Sequence, residues 1–289
     1  MYKIIRVSLT FLLCVLFAFI FESCSSRPRN SGDITVIRSQ AESWLDTGNR
    51  EAGKGNFQNA LTILTETRRY AILADDPSLI VRTRLSRGNV LYSLGFADEA
   101  FAEWTEAVTE ANRFGDIELL AVSRIYLARG NLVSGRSQAQ SIYDEVTHES
   151  ANLRNSGAFI AFSWQVRGLA LRSLSRWSEA EEAFKRSLDI HEKGRYLENA
   201  SYDWFSIASI RSLSGNIQGA LEALESSINI DRRIENSWGL AASYRAMGDV
   251  YQRAGRRQEA IAAYTRARAI YTAMGNDHEA AEIDKRIDN

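Results

Sequence analysis

The amino-acid sequence predicts an all-α chain: a solenoid of six helical hairpins finished by a C-terminal capping helix. Three observations carry this expectation. Proline occurs only twice in 289 residues, at Pro28 and Pro77, and a residue that breaks helix interiors is this scarce where helices fill the chain. A small residue recurs every 40 positions, at Gly48, Gly88, Ala128, Gly168, Ala208 and Gly248. A second series follows 11 or 12 residues behind it: Ala60, Ala100, Ala139, Ala180, Ala220 and Ala260. A fixed period over many copies is the mark of a repeat architecture.

The units run about 37–75, 76–115, 116–155, 156–195, 196–235 and 236–275, each read as helix, turn, helix. Breaks between the two helices fall at Gly55-Asn56, Leu94-Gly95, Ser175-Arg176, Gly215-Asn216 and Gly255-Arg256. Turn pairs such as Asp75-Asp76, Gly115-Asp116 and Gly275-Asn276 close the units. Within the second helices the apolar spacing is helical: Ala100, Trp104 and Ala107 return as Ala180, Phe184 and Ser187, and as Ala260, Tyr264 and Ala267. The small residue lets the second helix approach, and the large one four places after the alanine fills the gap. The third unit departs. Gly130 and Asn131 stand at the expected end of its first helix, and its turn reads one residue shorter, so irregular packing is expected there. Residues 277–288 read as an amphipathic helix covering the last hairpin.

The set Gly248, Tyr251, Gly255, Ala260, Tyr264 and Ala267, with Tyr244 before the glycine, resembles the tetratricopeptide repeat. The resemblance covers about residues 37–274, in the longer-period form found in kinesin light chains and bacterial quorum-sensing receptors. It implies a right-handed superhelix over 37–289 with a concave groove lined mainly by the first helices. It also implies binding rather than catalysis.

The N-terminus carries Lys3 and Arg6 ahead of an apolar run from Val7 to Phe21, short for a membrane span and suited to an export signal. Phe21-Glu22-Ser23-Cys24 resembles a bacterial lipobox, although Phe21 and Glu22 depart from its usual residues. That resemblance implies a signal peptide over 1–23, lipidation of Cys24, and a polar tether over 24–36. The expected location is the bacterial cell envelope, anchored in a membrane by lipid. Ser25 stands where an aspartate commonly retains lipoproteins at the inner membrane, so the outer membrane, facing the periplasm, is expected. Cys24 would be the only cysteine left after cleavage, which leaves no intramolecular disulfide.

Basic and acidic residues balance, 35 against 36, so nothing draws a phosphate backbone and nucleic acid is not an expected partner. His148, His191 and His278 lack metal-ligand spacing. The glycines follow the repeat rather than a phosphate loop or nucleophile elbow. Neither cofactor, metal nor catalytic residue is therefore expected. The groove is expected to take its lining from three rows of the first helices. One row is Asn49, Asn89, Arg129, Leu169, Ser209 and Asp249. Another is Leu45, Leu85, Ile125, Gln165, Phe205 and Arg245, and the third is Ala52, Tyr92, Leu132, Arg172, Ser212 and Gln252. Asn49, Asn89 and Arg129 resemble part of the carboxylate clamp by which some relatives grip a peptide C-terminus, without its lysines. Arg82, Phe162, Arg172, Tyr202 and Phe205 join them as candidate contacts, since arginine and aromatic side chains carry most interface energy. The leading expectation is a scaffold for an envelope protein or peptide. The alternative is a periplasmic receptor for a small ligand or free peptide, accessory to a transporter, with Phe162, Tyr202 and Phe205 converging on a closed pocket.

Overall fold

The computed structural model describes residues 36–154 and 156–288. Cys24, the leader and nearly all of the tether lie outside them. The described residues form thirteen helices and no strand. The first two hairpins are α1 (Val36–Gly53) with α2 (Phe57–Leu73), and α3 (Pro77–Ser93) with α4 (Ala97–Phe114). The next two are α5 (Ile117–Val133) with α6 (Ala139–Ser150), and α7 (Gly157–Ser173) with α8 (Trp177–Gly194). Then come α9 (Leu197–Leu213) with α10 (Ile217–Arg233), α11 (Ser237–Arg253) with α12 (Arg257–Ala273), and the terminal α13 (Asp277–Asp288).

Many of the helices stop because one residue turns left-handed just beyond them, which frees the chain to reverse. Glycine takes that place at Gly55 and Gly95, at φ of 83° and 87°, while Ser175 and Arg195 take it at φ of 58°. New helices then start on side-chain caps: Asp76 accepts from the Leu79 amide at 3.0 Å and Asp116 from Leu119 at 2.9 Å.

Within a hairpin the small residue of the first helix faces the large residue of the second. A methyl group at Gly88 would stand 2.4 Å from the Trp104 ring, one at Gly168 2.6 Å from Phe184, and one at Gly248 2.4 Å from Tyr264. Bare backbone at these points lets the helices close on a full aromatic side chain, and Trp104, Phe184 and Tyr264 are all buried.

The third hairpin is irregular, and differently from the sequence reading. Its turn, 134–138, is longer than the others rather than shorter. Ala139 consequently opens α6 instead of packing inside it. Ile142, Val146 and Glu149 take the buried places that Ala100, Trp104 and Ala107 hold in α4. Gly130 has a packing reason as well: the Trp104 indole reaches across from the preceding hairpin, 2.4 Å from where a methyl group at Gly130 would sit.

Polar side chains run through two of the junctions. Between the fourth and fifth hairpins, Asp203 accepts from Gln165 Nε2 at 2.8 Å and from the Ser187 hydroxyl at 2.9 Å, with His191 Nδ1 at 2.7 Å. Ser201, Ser227 and Ser243 link hydroxyls between the fifth and sixth at 2.9 and 3.0 Å.

First helices of successive hairpins touch one another, as in α1 with α3, α3 with α5, α5 with α7 and α9 with α11. They therefore form the inner wall of the curve. The curve runs far enough for its ends to meet. Gly55, in the first hairpin's turn, sits against Trp238 and Met274, Phe57 meets Trp238 edge-on at 5.6 Å, and Gly53 lies beside the Glu198 carboxylate.

Candidate binding groove

The inner wall carries two groups of side chains that the first helices bring together. The first lies on α3, α5 and α7. Tyr126 stacks on Phe162 with ring centroids 4.3 Å apart. Arg82 and Arg129 lie close enough to its hydroxyl to hold down a pKa that burial pushes up. Arg129 Nη1 reaches the Asn89 side-chain oxygen at 3.5 Å, a marginal distance for a hydrogen bond. Among the described residues neither Arg82 nor Arg129 has a carboxylate within ion-pair distance. The result is two guanidiniums and an amide around an aromatic pair, with donors left over for an acceptor supplied from outside.

The second group surrounds a cavity of about 300 Å³ between α9, α10 and α11. Tyr202, Phe205 and Trp238 form its apolar walls, and Glu198, Asp231, Asn236 and Arg245 supply the polar lining together with Ser201, Ser227 and Ser243. Tyr202 and Phe205 thus share one site. Phe162 does not join them, being committed to Tyr126 on the neighbouring hairpin, so the three aromatic rings do not converge.

Other expected lining residues go elsewhere. Leu45, Leu85 and Ile125 are core residues at 1, 3 and 1% exposure. They face the second helix of their own hairpin because they lie one helical turn before the small residue, on the packing face. Asn49 is exposed on α1. Tyr92 lies over Trp104 at 5.9 Å and is spent on packing, and Arg172 is half-buried near the end of α7. Trp164 is half-buried against the edge of the core. Its ring lies between the Arg167 and Arg186 guanidiniums, at 3.9 and 4.7 Å, in a cavity of about 510 Å³ left beside the short α6.

Sequence reasoning missed Tyr126 and Trp238. Tyr126 occupies a row held by Asp46, Ser86, Val166, Ser206 and Ala246 in the other units, so no periodic signal marked it. Trp238 sits in the first turn of α11, at an edge that only the meeting of the two ends turns into a wall.

Residues 196–273 match the family described as tetratricopeptide repeat. The match spans the fifth and sixth hairpins, α9 to α12, and so includes the walls of the 300 Å³ cavity. The remaining hairpins share their fold with solved solenoids. BtubC (BKLC) of P. vanneervenii is similar over 84% of this chain and 93% of its own, at 17% identity and a TM-score of 0.56. A Rap protein complexed with Competence and Sporulation Factor is similar over 89% of this chain and 76% of its own, at 16% identity and a TM-score of 0.60. A thermophilic tetratricopeptide-repeat protein of Thermus thermophilus matches 70% of this chain and 98% of its own, at 19% identity and a TM-score of 0.53. At such identities the likeness concerns the α-solenoid fold. No curated protein matches the chain in sequence.

Proposed function

We propose that this protein is a non-catalytic scaffold whose inner wall binds an extended segment of a protein partner, and that Cys24 anchors it by lipid to a bacterial envelope membrane. Arg82 and Arg129 carry the reading: two unpaired guanidiniums beside the Tyr126–Phe162 stack on the inner wall. Guanidiniums offer forked donors to carboxylates, and aromatic faces supply apolar area at little entropic cost. A segment with an acidic side chain, or its own terminal carboxylate, meets both. The tetratricopeptide repeats and solenoid fold support protein binding, and the Rap neighbour was solved complexed with a factor. The apolar run before Cys24 supports export, and the tether would hold the solenoid clear of the membrane.

Photo-crosslinking from Phe162 in intact cells tests this. A single envelope protein crosslinked to the wild type, and lost in an Arg82→Ala, Arg129→Ala variant that still folds, is the expected result. Equal crosslinking in both, or none in either, would remove this group from the binding face. The receptor reading keeps one specific support, the aromatic cavity between α9 and α11.

A further inference from the structure

That cavity has a charge the scaffold reading leaves unused. Asp231 is 1% exposed; Asn236 Nδ2 donates to its Oδ1 at 2.9 Å and the Ser227 hydroxyl to its Oδ2 at 3.5 Å. Both donors are neutral, so neither cancels its charge. Glu198 stands at the rim, where Arg50 and Lys54 of the first hairpin face it, yet among the described residues neither carboxylate has a cation within ion-pair distance. Burial holds both carboxyls above the usual carboxylate range, more strongly than Arg50 and Lys54 pull Glu198 down or hydrogen bonds pull Asp231 down. Arg245, the one cation of the lining, is engaged by Glu279 at 2.8 Å. Gly239 packs close against Asp231: a methyl group there would stand 2.6 Å from Oδ2.

A cavity that joins a buried carboxylate and an exposed rim carboxylate to three aromatic walls selects positive charge. Carboxylates pair with a guanidinium or ammonium, and aromatic faces attract the same groups. The volume suits one long side chain and excludes a folded element. On the second and third hairpins the inner wall has the opposite surplus, in Arg82 and Arg129, so a segment lying along it meets cations first and carboxylates second. We propose that the cavity between α9 and α11 is a subsite for a cationic group, carried as a lysine or arginine side chain by the segment bound in the groove. The peptide source rests on the scaffold reading. The cation chemistry does not, since a free amine presents the same group.

The test uses the purified full chain in detergent, as wild type, Glu198→Gln and Asp231→Asn, each checked by thermal melting. Short random peptides are selected on all three, and agmatine is titrated in parallel by calorimetry. The expected result is enrichment of arginine or lysine among peptides selected on the wild type, with affinity falling at least about tenfold for the folded Glu198→Gln chain. Agmatine binding that depends on Glu198, without any peptide selected, would keep the cation subsite and overturn the scaffold reading. Peptides selected without basic enrichment, or with the same enrichment on both variants, would overturn the subsite and leave the groove standing. Failure of both probes would sink the two together.

Discussion

At the residue scale, close packing and buried charge each decide a measurable outcome. Trp104 lies between Gly88 of its own hairpin and Gly130 of the next. Replacing Gly130 with alanine improves helix propensity by up to about 1 kcal/mol but drives a methyl group into the indole. Overpacking of this kind costs about 1–3 kcal/mol. Gly130→Ala is therefore expected to lower the urea midpoint, and the Trp104→Phe, Gly130→Ala pair to lose less than the sum of its parts. Additive losses would show that the indole is not what forbids the methyl group. Asp231 sets the opposite case. A carboxyl whose pKa is raised in the fold opposes folding while ionised; as pH falls through the raised value the native state takes up a proton and the penalty fades. Asp231→Asn keeps an oxygen for Asn236 and gives Ser227 a donor. The variant is expected to match or exceed wild-type stability at neutral pH, with its advantage shrinking as both are acidified. An advantage that grows on acidification would contradict the burial account.

At the element scale, the contrast between α6 and its neighbours explains what the sequence could and could not convey. The small–large pairs Gly88–Trp104 and Gly168–Phe184 lie within single hairpins, so each leaves a local, repeated trace. In the third unit Ala139 satisfied the pattern by residue type while the longer turn moved the buried face onto Ile142 and Val146. Composition and register separate there, and only register decides packing. The short α6 starts at Gln138 without a side-chain cap and runs from Ala139 to Ser150 between two wide connections. It has fewer buried apolar residues than α4 or α8, and local opening is easiest where burial is thinnest. Amide exchange is expected to be faster across α6 than across α4 and α8. Equal protection would show that Ile142, Val146 and Leu153 anchor it as firmly as a full-length helix.

At the scale of the whole molecule, the meeting of the first hairpin with the last two was invisible in the sequence because Phe57 and Trp238 recur in no period. Stacked repeats contact only their neighbours, so each junction adds its own small rotation and curvature accumulates along the chain. A contact between the ends adds a term that no junction contains. Phe57 edge-on to Trp238, with Gly55 against Trp238 and Met274, buries apolar surface that an open arc would leave in water. If this contact helps to hold the curve, Phe57→Ala should open it without unfolding any hairpin. The expected outcome is a larger radius of gyration by small-angle scattering and an unchanged helical circular dichroism spectrum. An unchanged radius would mean that the junctions alone set the curvature and that the ends merely touch. The distinction bears on binding, because Trp238 is itself a wall of the cation-selective cavity. An opening arc would withdraw Arg50 and Lys54 from Glu198 while leaving Asp231 in place. Phe57→Ala should then bind a basic probe at least as tightly as the wild type, since the first hairpin's own cations no longer compete at the rim.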